Sequence, residues 1–451
     1  MEIIFTITCL LFSSIVFLSA YGDGLASETL PPAIIGNRNV TLSINSSPFL
    51  IDNNHTGTQI NFILLDVASQ QPIPDATLAV SAFRGDKALF GHIFQSDNGN
   101  FLISIIPNKS DKVSVDEEGG IFSGVLGQHS GNYKVQGPIF DSGGLYRFKI
   151  NVLTMGLYSN EISKNYEVAI SIQETKDYQV FDKEYGNQTV TIIAYYDQIR
   201  NFHYETEKKT MNFVMPFTWT EDTIKQVSVV HQEIKIPKSF GDYIVTKYDV
   251  YVNGINLPDK AISIDDYSSD ERIVHLILYR PEIADIAKKQ GISKPEMDFL
   301  LSPSNETGFP ITQFTRNAQY KVSLSWDPPK ILPGSTTKFT FQVLDPYLIN
   351  KTIDSPVSYD LSIIEGRNNV IFHKSGITDS SGGGSIDVPF PSNYTGPSTI
   401  AFENMHGNSF AGIDFSSVVD RYTVPEFPLG SLLVMIILFS FIILIPKFMK
   451  R

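Results

Sequence analysis

Phe62-Ile-Leu-Leu-Asp-Val-Ala-Ser-Gln-Gln-Pro-Ile-Pro-Asp-Ala-Thr-Leu78 is the stretch that decides the fold class. An apolar run ends at Asp66, Pro72 and Pro74 mark a turn, and a second apolar run follows. Similar runs, rich in β-branched and aromatic residues, recur along the chain with turn formers at spacings of about 8 to 15 residues. Helical crossovers between them are missing, so the pattern predicts a mainly β protein built from sandwiches.

The block 33–176 contains this stretch and closes with a strand that bears a tyrosine. A turn, a strand and a stop are predicted over 96–107, and Gly143-Gly-Leu-Tyr-Arg-Phe148 supplies the closing strand. Together with the Pro-rich turn, these segments resemble an extracellular immunoglobulin-like or carboxypeptidase-regulatory-like module. The resemblance implies a β-sandwich in which Tyr146 is a corner residue whose hydroxyl bonds to the backbone.

The block 319–422 has a similar pattern of strands. Tyr320-Lys-Val-Ser-Leu-Ser-Trp326 alternates apolar and polar residues, and further strands are predicted over 339–345, 357–364 and 370–373. This block is therefore predicted to be a second immunoglobulin-like sandwich.

The middle block, 187–316, combines strands with helical signals. Pro281-Glu-Ile-Ala-Asp-Ile-Ala-Lys-Lys-Gln-Gly291 predicts a helix, because Pro and an acid open it, lysines end it and Gly follows. A second short helix is predicted from Ser293 towards Leu301. The predicted fold is two to three immunoglobulin-like β-sandwich domains with a short helical insertion, an N-terminal signal helix and a C-terminal transmembrane helix.

The C-terminal segment predicts a membrane attachment. A Pro425-Glu426-Phe427 motif within 424–428 precedes the apolar segment 429–446 and the basic tail 447–451. The uncharged run from Leu429 to Ile445 would reach about 25 Å, nearly the thickness of a bilayer core. This order of parts resembles the archaeal PEF-CTERM sorting signals, and the resemblance implies processing by an archaeosortase-like membrane protease. An uncleaved single-span anchor is the alternative.

The N-terminal segment predicts export. Residues 1–22 contain an apolar run followed by small and polar residues, as a signal peptide does, although Glu2 replaces the usual basic residue. Retention of this segment as a second anchor is the alternative. Since the basic tail favours the cytoplasmic side, the protein is predicted to be a single-pass cell-membrane protein with its N-terminus and domains outside.

Composition restricts the chemistry of these domains. The one cysteine, Cys9, lies in the predicted signal, which excludes disulfides and thiolate sites from the exported part. The net charge of −13 argues against a nucleic-acid partner. Eight Asn-X-Ser/Thr sequons predict an N-glycosylated exterior. Their asparagines are Asn39, Asn45, Asn54, Asn108, Asn187, Asn305, Asn350 and Asn393.

Histidines of the middle block are the candidate ligands for a transition metal. Side chains alternate along a strand, so His231 and Glu233 share a face, as do His203 and the glutamates that follow it. With His275 on another strand, they form a candidate nitrogen and oxygen site for Zn²⁺ or Cu²⁺. Solvated histidine and glutamate pairs without a metal are the alternative.

A run of carboxylates is the candidate calcium site. Asp265, Asp266 and Asp270 supply the oxygen ligands that Ca²⁺ prefers, but their spacing does not match an EF-hand. A solvated turn is the alternative interpretation.

No catalytic signature occurs in the sequence: a nucleophile elbow, a P-loop and a dinucleotide-binding glycine motif are missing. The sequence therefore predicts a non-enzymatic surface protein with a structural, adhesive or recognition function, no obligatory cofactor, and an envelope protein or glycan as partner. An extracellular solute- or metal-binding protein that uses its middle domain is the alternative.

Overall fold

A computed structural model describes residues 27–30, 32–35, 38–52, 55–118, 128–159, 161–266, 270–290, 294–348, 351–366 and 368–420. In these residues the chain forms 29 strands, distributed over six sheets, and two short α-helices. They divide into two compact units. The first contains the described residues up to Pro237, Tyr248–Asp265 and Glu271–Ser304, and the second contains Lys238–Lys247, Asp266–Asp270 and the described residues from Asn305 onward.

The first domain, within the first unit, is a pair of sheets. Its strands are β1 (Ser27–Thr29), β2 (Ala33–Ile35), β3 (Arg38–Asp52), β4 (His55–Asp66), β5 (Ala76–Arg84), β6 (Lys87–Ser96), β7 (Asn100–Pro107), β8 (Ser114–Glu117), β9 (Asn132–Gly137), β10 (Gly144–Thr154) and β11 (Glu161–Ile172). One sheet has the order β1-β3-β4-β7-β9-β8 with β2 on β3, and the other has the order β11-β10-β5-β6. Phe62 and Phe148 pack between the sheets, 6.4 Å apart.

The stretch 62–78 connects these two sheets. Its first run ends β4 and its second begins β5, and β4 and β5 belong to opposite sheets. The Asp66 carboxylate begins the turn by accepting hydrogen bonds from the backbone N–H groups of Ala68 and Ser69. The Pro-rich turn thus transfers the chain from one layer to the other, and this transfer makes the domain a sandwich.

Tyr146 lies fully buried in β10, and its hydroxyl donates a hydrogen bond of 2.8 Å to the carbonyl oxygen of Ser142. Burial raises the pKa of this phenol. The structure thus confirms the predicted bond between the tyrosine hydroxyl and the backbone.

Replacing Tyr146 with Phe removes the hydrogen bond to the carbonyl of the exposed Ser142, which can bind water instead, and is expected to destabilise the first domain by about 0.5–1.5 kcal/mol. Hydrogen–deuterium exchange of the β10 amides measures the loss of protection. Tyr279→Phe is the matched control, since Tyr279 is 55% exposed and should tolerate the change. Equal protection of β10 in both variants would contradict a stabilising role for the Tyr146 hydroxyl.

The middle domain is the second pair of sheets in the first unit. Its strands are β12 (Glu174–Asp182), β13 (Gly186–Ala194), β14 (Arg200–Glu205), β15 (Thr210–Pro216), β16 (Val229–Pro237), β17 (Tyr248–Val252), β18 (Ile255–Asn256), β19 (Ile262–Asp265), β20 (Glu271–Tyr279) and β21 (Glu296–Pro303). The sheets have the orders β12-β13-β16-β20-β19 and β14-β15-β21-β17-β18. Gln232 in the first sheet contacts Met215 in the second, with 3.5 Å between its Nε2 and the Met215 Sδ atom.

Helix predictions for this domain had mixed outcomes. Helix α2 (Arg280–Lys289) confirms the predicted helix over 281–291. The short helix α1 (Glu221–Gln226) was not predicted. The helix predicted from Ser293 towards Leu301 is wrong, because Glu296–Pro303 is strand β21. Met297, Phe299 and Leu301 are buried and alternate with the half-buried Asp298 and Leu300, which is the period of a strand.

The first predicted block extends too far into the middle domain. It ends at residue 176, whereas β12 (Glu174–Asp182) pairs with β13 in the first sheet of the middle domain. The local pattern marks β12 as a strand but does not specify the sheet it joins.

The third domain lies in the second unit and is also a pair of sheets. Its strands are β22 (Ile311–Phe314), β23 (Lys321–Asp327), β24 (Thr336–Leu344), β25 (Ser358–Glu365), β26 (Asn369–Ile377), β27 (Gly383–Pro389), β28 (Gly396–Glu403) and β29 (Ile413–Val419). The sheet orders are β22-β23-β24-β27 and β26-β25-β28-β29. In chain order, β23-β24-β27 and β25-β28-β29 correspond to the A-B-E and C-F-G strands of an immunoglobulin fold.

Both predicted hydrophobic terminal segments, 1–22 and 429–446, lie outside the described residues, as do the sorting motif at 424–428 and the basic tail. Within the described part of the chain, neither helix has the length and apolar character needed to cross a membrane.

Candidate metal centre

Two neighbouring strands of the middle domain bring a pair of histidines and a glutamate together. Strands β16 and β20 pair antiparallel, with Glu233 directly opposite His275. His231 lies two residues before Glu233 and therefore on the same face of the sheet. Gln232 and Ile234 alternate with them and are fully buried in the core. The period of the strand thus places all three polar side chains on the outer face.

The distances between the candidate ligand atoms fit one metal ion. His231 Nε2 lies 3.3 Å from His275 Nδ1, and Glu233 Oε1 lies 4.0 Å from His231 Nε2 and 3.7 Å from His275 Nδ1. Tetrahedral coordination with bonds of about 2.0–2.2 Å places ligand atoms about 3.3–3.6 Å apart. The observed separations of 3.3–4.0 Å are therefore close to those of three ligand atoms around one ion.

Aromatic packing holds the two imidazoles in position. The rings of His231 and His275 stack with centroids 5.6 Å apart, and Tyr195 stacks on His231 at 4.7 Å. The Tyr195 backbone N–H donates to the His231 carbonyl oxygen at 3.1 Å, which fixes the position of the tyrosine. The side chains of His231, Glu233 and His275 are 14–20% exposed, so an ion would enter from solvent and then be largely shielded.

His203, the third predicted histidine ligand, lies elsewhere. It belongs to β14, in the other sheet of the middle domain, opposite Asn212. The nearby Glu205 and Glu207 pair with Lys208 and Lys183. Among the described residues, the one group of three candidate ligands within 4.8 Å consists of His231, Glu233 and His275. The structure thus brings three of the predicted ligands together and leaves His203 in the other sheet.

The aspartates of the predicted calcium site do not form a comparable group within the described part of the chain. Asp266 is fully buried and accepts a hydrogen bond of 2.8 Å from the Ser416 backbone N–H. Its carbonyl oxygen accepts a second one, of 3.1 Å, from Lys238 Nζ. Asp265 ends β19, and Asp270 is exposed. The Asp266 carboxylate is therefore buried and hydrogen-bonded within the protein, whereas a calcium ligand in a surface turn would be exposed to solvent.

The sequon asparagines for which the structure describes a side chain all lie at the surface. These are Asn39, Asn45, Asn108, Asn187, Asn305 and Asn393, and each is exposed. Asn54 and Asn350 lie outside the described residues. Attachment of a glycan at any of the six exposed positions would not require the core to open.

A cleft of about 820 Å³ lies in the first unit, between β11 and the region of α1. Lys164, Glu167 and Asp222 line it and give it mixed charge. At its edge, burial raises the pKa of the Asp197 carboxyl, which accepts a hydrogen bond from the Leu145 backbone N–H. The cleft is large enough for a peptide or oligosaccharide segment.

The fold and site define a mainly β protein of three sandwich domains with a candidate His–Glu–His metal centre. No protein-family model matches the chain, and no curated protein sequence matches it.

Three solved structures illustrate the level of structural similarity. Native alpha-2-macroglobulin of E. coli gives a TM-score of 0.19 at 9% identity, covering 86% of this chain and 34% of that chain. A Salmonella alpha-2-macroglobulin mutant gives a TM-score of 0.18 at 10% identity, and the match covers 87% of this chain and 33% of that chain. Invasin, a bacterial integrin-binding protein, gives a TM-score of 0.16 at 9% identity, and the match covers 84% of this chain and 79% of that chain. This chain thus spans about a third of the length of the macroglobulins, and scores this low assign neither fold nor function.

Proposed function

We propose that this chain is an extracellular surface protein of consecutive immunoglobulin-like sandwiches, anchored in the membrane by its C-terminal segment. Its function is structural or adhesive, or the recognition of an envelope protein or glycan, without catalysis. The single observation that supports this best is the exposure of all six described sequon asparagines.

Protease treatment of intact source cells tests the location. We expect the three domains to be released or degraded while a cytoplasmic control protein survives, and glycopeptides to map to the six exposed asparagines. Survival of the domains until the cells are lysed would contradict the surface location. Unmodified peptides at all six positions would contradict glycosylation separately.

The His231–Glu233–His275 group favours a second function, the binding of a divalent transition metal by the middle domain. Two imidazoles and a carboxylate suit Zn²⁺ and Cu²⁺ better than Ca²⁺, which prefers a larger set of oxygen ligands. Separations of 3.3–4.0 Å between the three ligand atoms are the supporting observation.

Equilibrium dialysis of the full-length chain against Zn²⁺, and separately Cu²⁺, measures this binding. We expect one tightly bound ion per chain, with His275→Ala weakening the affinity about 100-fold or more. His203→Ala is the matched control, since it removes a histidine from the other sheet of the same domain. Equal binding by His275→Ala and the unmodified chain would exclude this site.

A further inference from the structure

The candidate ligands do not complete the coordination of a metal ion. Structural zinc sites are usually closed by four protein ligands, whereas three protein ligands leave a position for an exogenous one. Among the described residues, no fourth His, Cys, Asp or Glu joins His231, Glu233 and His275. The segments 267–269 and 291–293, outside the described part of the chain, contain none of these four residue types.

The open position would face away from the sheet. All three ligand side chains project from the outer face of β16 and β20, so an ion that they bind lies above that face. Tyr195 stacks on His231 and so flanks the ligand group on one side. The remaining direction leads towards solvent, because the ligand side chains retain 14–20% exposure.

The charge next to this position is positive. Lys235 follows Glu233 by two residues on the same face, about 7 Å along the strand. Its cross-strand neighbours, Thr191 and Ile273, are uncharged. A divalent ion with one carboxylate ligand adds a net charge of about +1.

Two aspartates lie in the same row across the sheet as Lys235, on other strands. Asp177 is opposite Thr191 and Asp265 is opposite Ile273, each one strand further out, about 10 Å from the Lys235 backbone. Asp177 also accepts a hydrogen bond of 2.6 Å from the Thr191 hydroxyl. Lys235 is therefore the only one of these three charged residues that lies on a strand carrying the candidate ligands.

We infer that the metal ion, once bound, takes a small anion or carboxylate at this open position, with Lys235 stabilising the negative charge. This inference rests on the proposed metal binding. It makes the centre an exchangeable ligand-binding site, in contrast to a closed structural one.

Cobalt substitution tests the inference, because visible absorption of Co²⁺ changes with its ligands. The full-length chain is loaded with Co²⁺ and titrated with sodium azide, and then with sodium acetate. We expect saturable spectral changes with both. Lys235→Met should retain Co²⁺ binding and weaken azide binding about fivefold, since an exposed ion pair contributes up to about 1 kcal/mol. His203→Ala should behave like the unmodified chain.

The outcomes separate the two proposals. Failure to bind Co²⁺ would contradict metal binding itself. A cobalt spectrum that azide and acetate leave unchanged would overturn the open position while metal binding stands. Unaltered azide affinity in Lys235→Met would overturn the role assigned to the lysine.

Discussion

Replacing Phe402 with alanine is expected to lower the free energy of unfolding of the third domain by about 3–5 kcal/mol. Phe402 lies fully buried in β28 at the centre of an aromatic cluster. Its ring centroid is 4.9 Å from that of Phe341, 5.9 Å from that of Tyr359 and 6.3 Å from that of Phe415. Alanine would leave a cavity between the two sheets, because the neighbouring rings belong to both of them. A local shift within one sheet would therefore not fill the cavity.

The two tryptophans of the chain allow this loss to be measured in one domain. Trp326 is buried in the third-domain core, and Trp219 belongs to the middle domain. In a Trp219→Phe background, urea unfolding followed by fluorescence reports the surroundings of Trp326. Phe410→Ala is the matched control, because Phe410 is 79% exposed in the same domain and should change stability by less than about 0.5 kcal/mol. Equal losses in the two variants would contradict the assigned core.

Zinc is expected to stabilise the middle domain by about 2.7 kcal/mol when its free concentration is about 100 times the dissociation constant. Zinc binds the native state preferentially, because the native pairing of β16 with β20 brings His275 next to His231 and Glu233. Binding to the native state alone stabilises it by mass action. Unfolding separates the strands and releases the ion. If His275→Ala weakens binding about 100-fold, the stabilisation at the same zinc concentration falls to about 0.4 kcal/mol.

Urea unfolding of the full-length chain in a Trp326→Phe background measures this effect through Trp219. His203→Ala should retain the full zinc stabilisation, which controls for adsorption of zinc to other histidines. Chelation with EDTA should return the unmodified chain to its metal-free stability. The metal centre would be refuted if zinc stabilised His275→Ala and the unmodified chain equally.

Local sequence patterns predicted several features well. Alternation along 320–326 predicted strand β23, and the helix signals over 281–291 predicted α2. The segment 293–301 misled the prediction because Pro295 resembles a helix start, whereas the buried Met297, Phe299 and Leu301 alternate as in a strand. Burial against the facing sheet outweighs a local helix signal of this size.

Sequence alone determined that the chain is mainly β, that a Pro-rich turn follows the apolar run at 62–66, and that His231 and Glu233 share a face. These properties follow from local backbone geometry, since side chains alternate along any strand. Only the tertiary structure decided that His275 lies opposite Glu233, while His203 lies in the other sheet. Pairing between distant strands depends on the order and register of all the strands in a sheet. Burial of apolar side chains across the whole sandwich selects this arrangement, so the sequence of a single strand does not specify it.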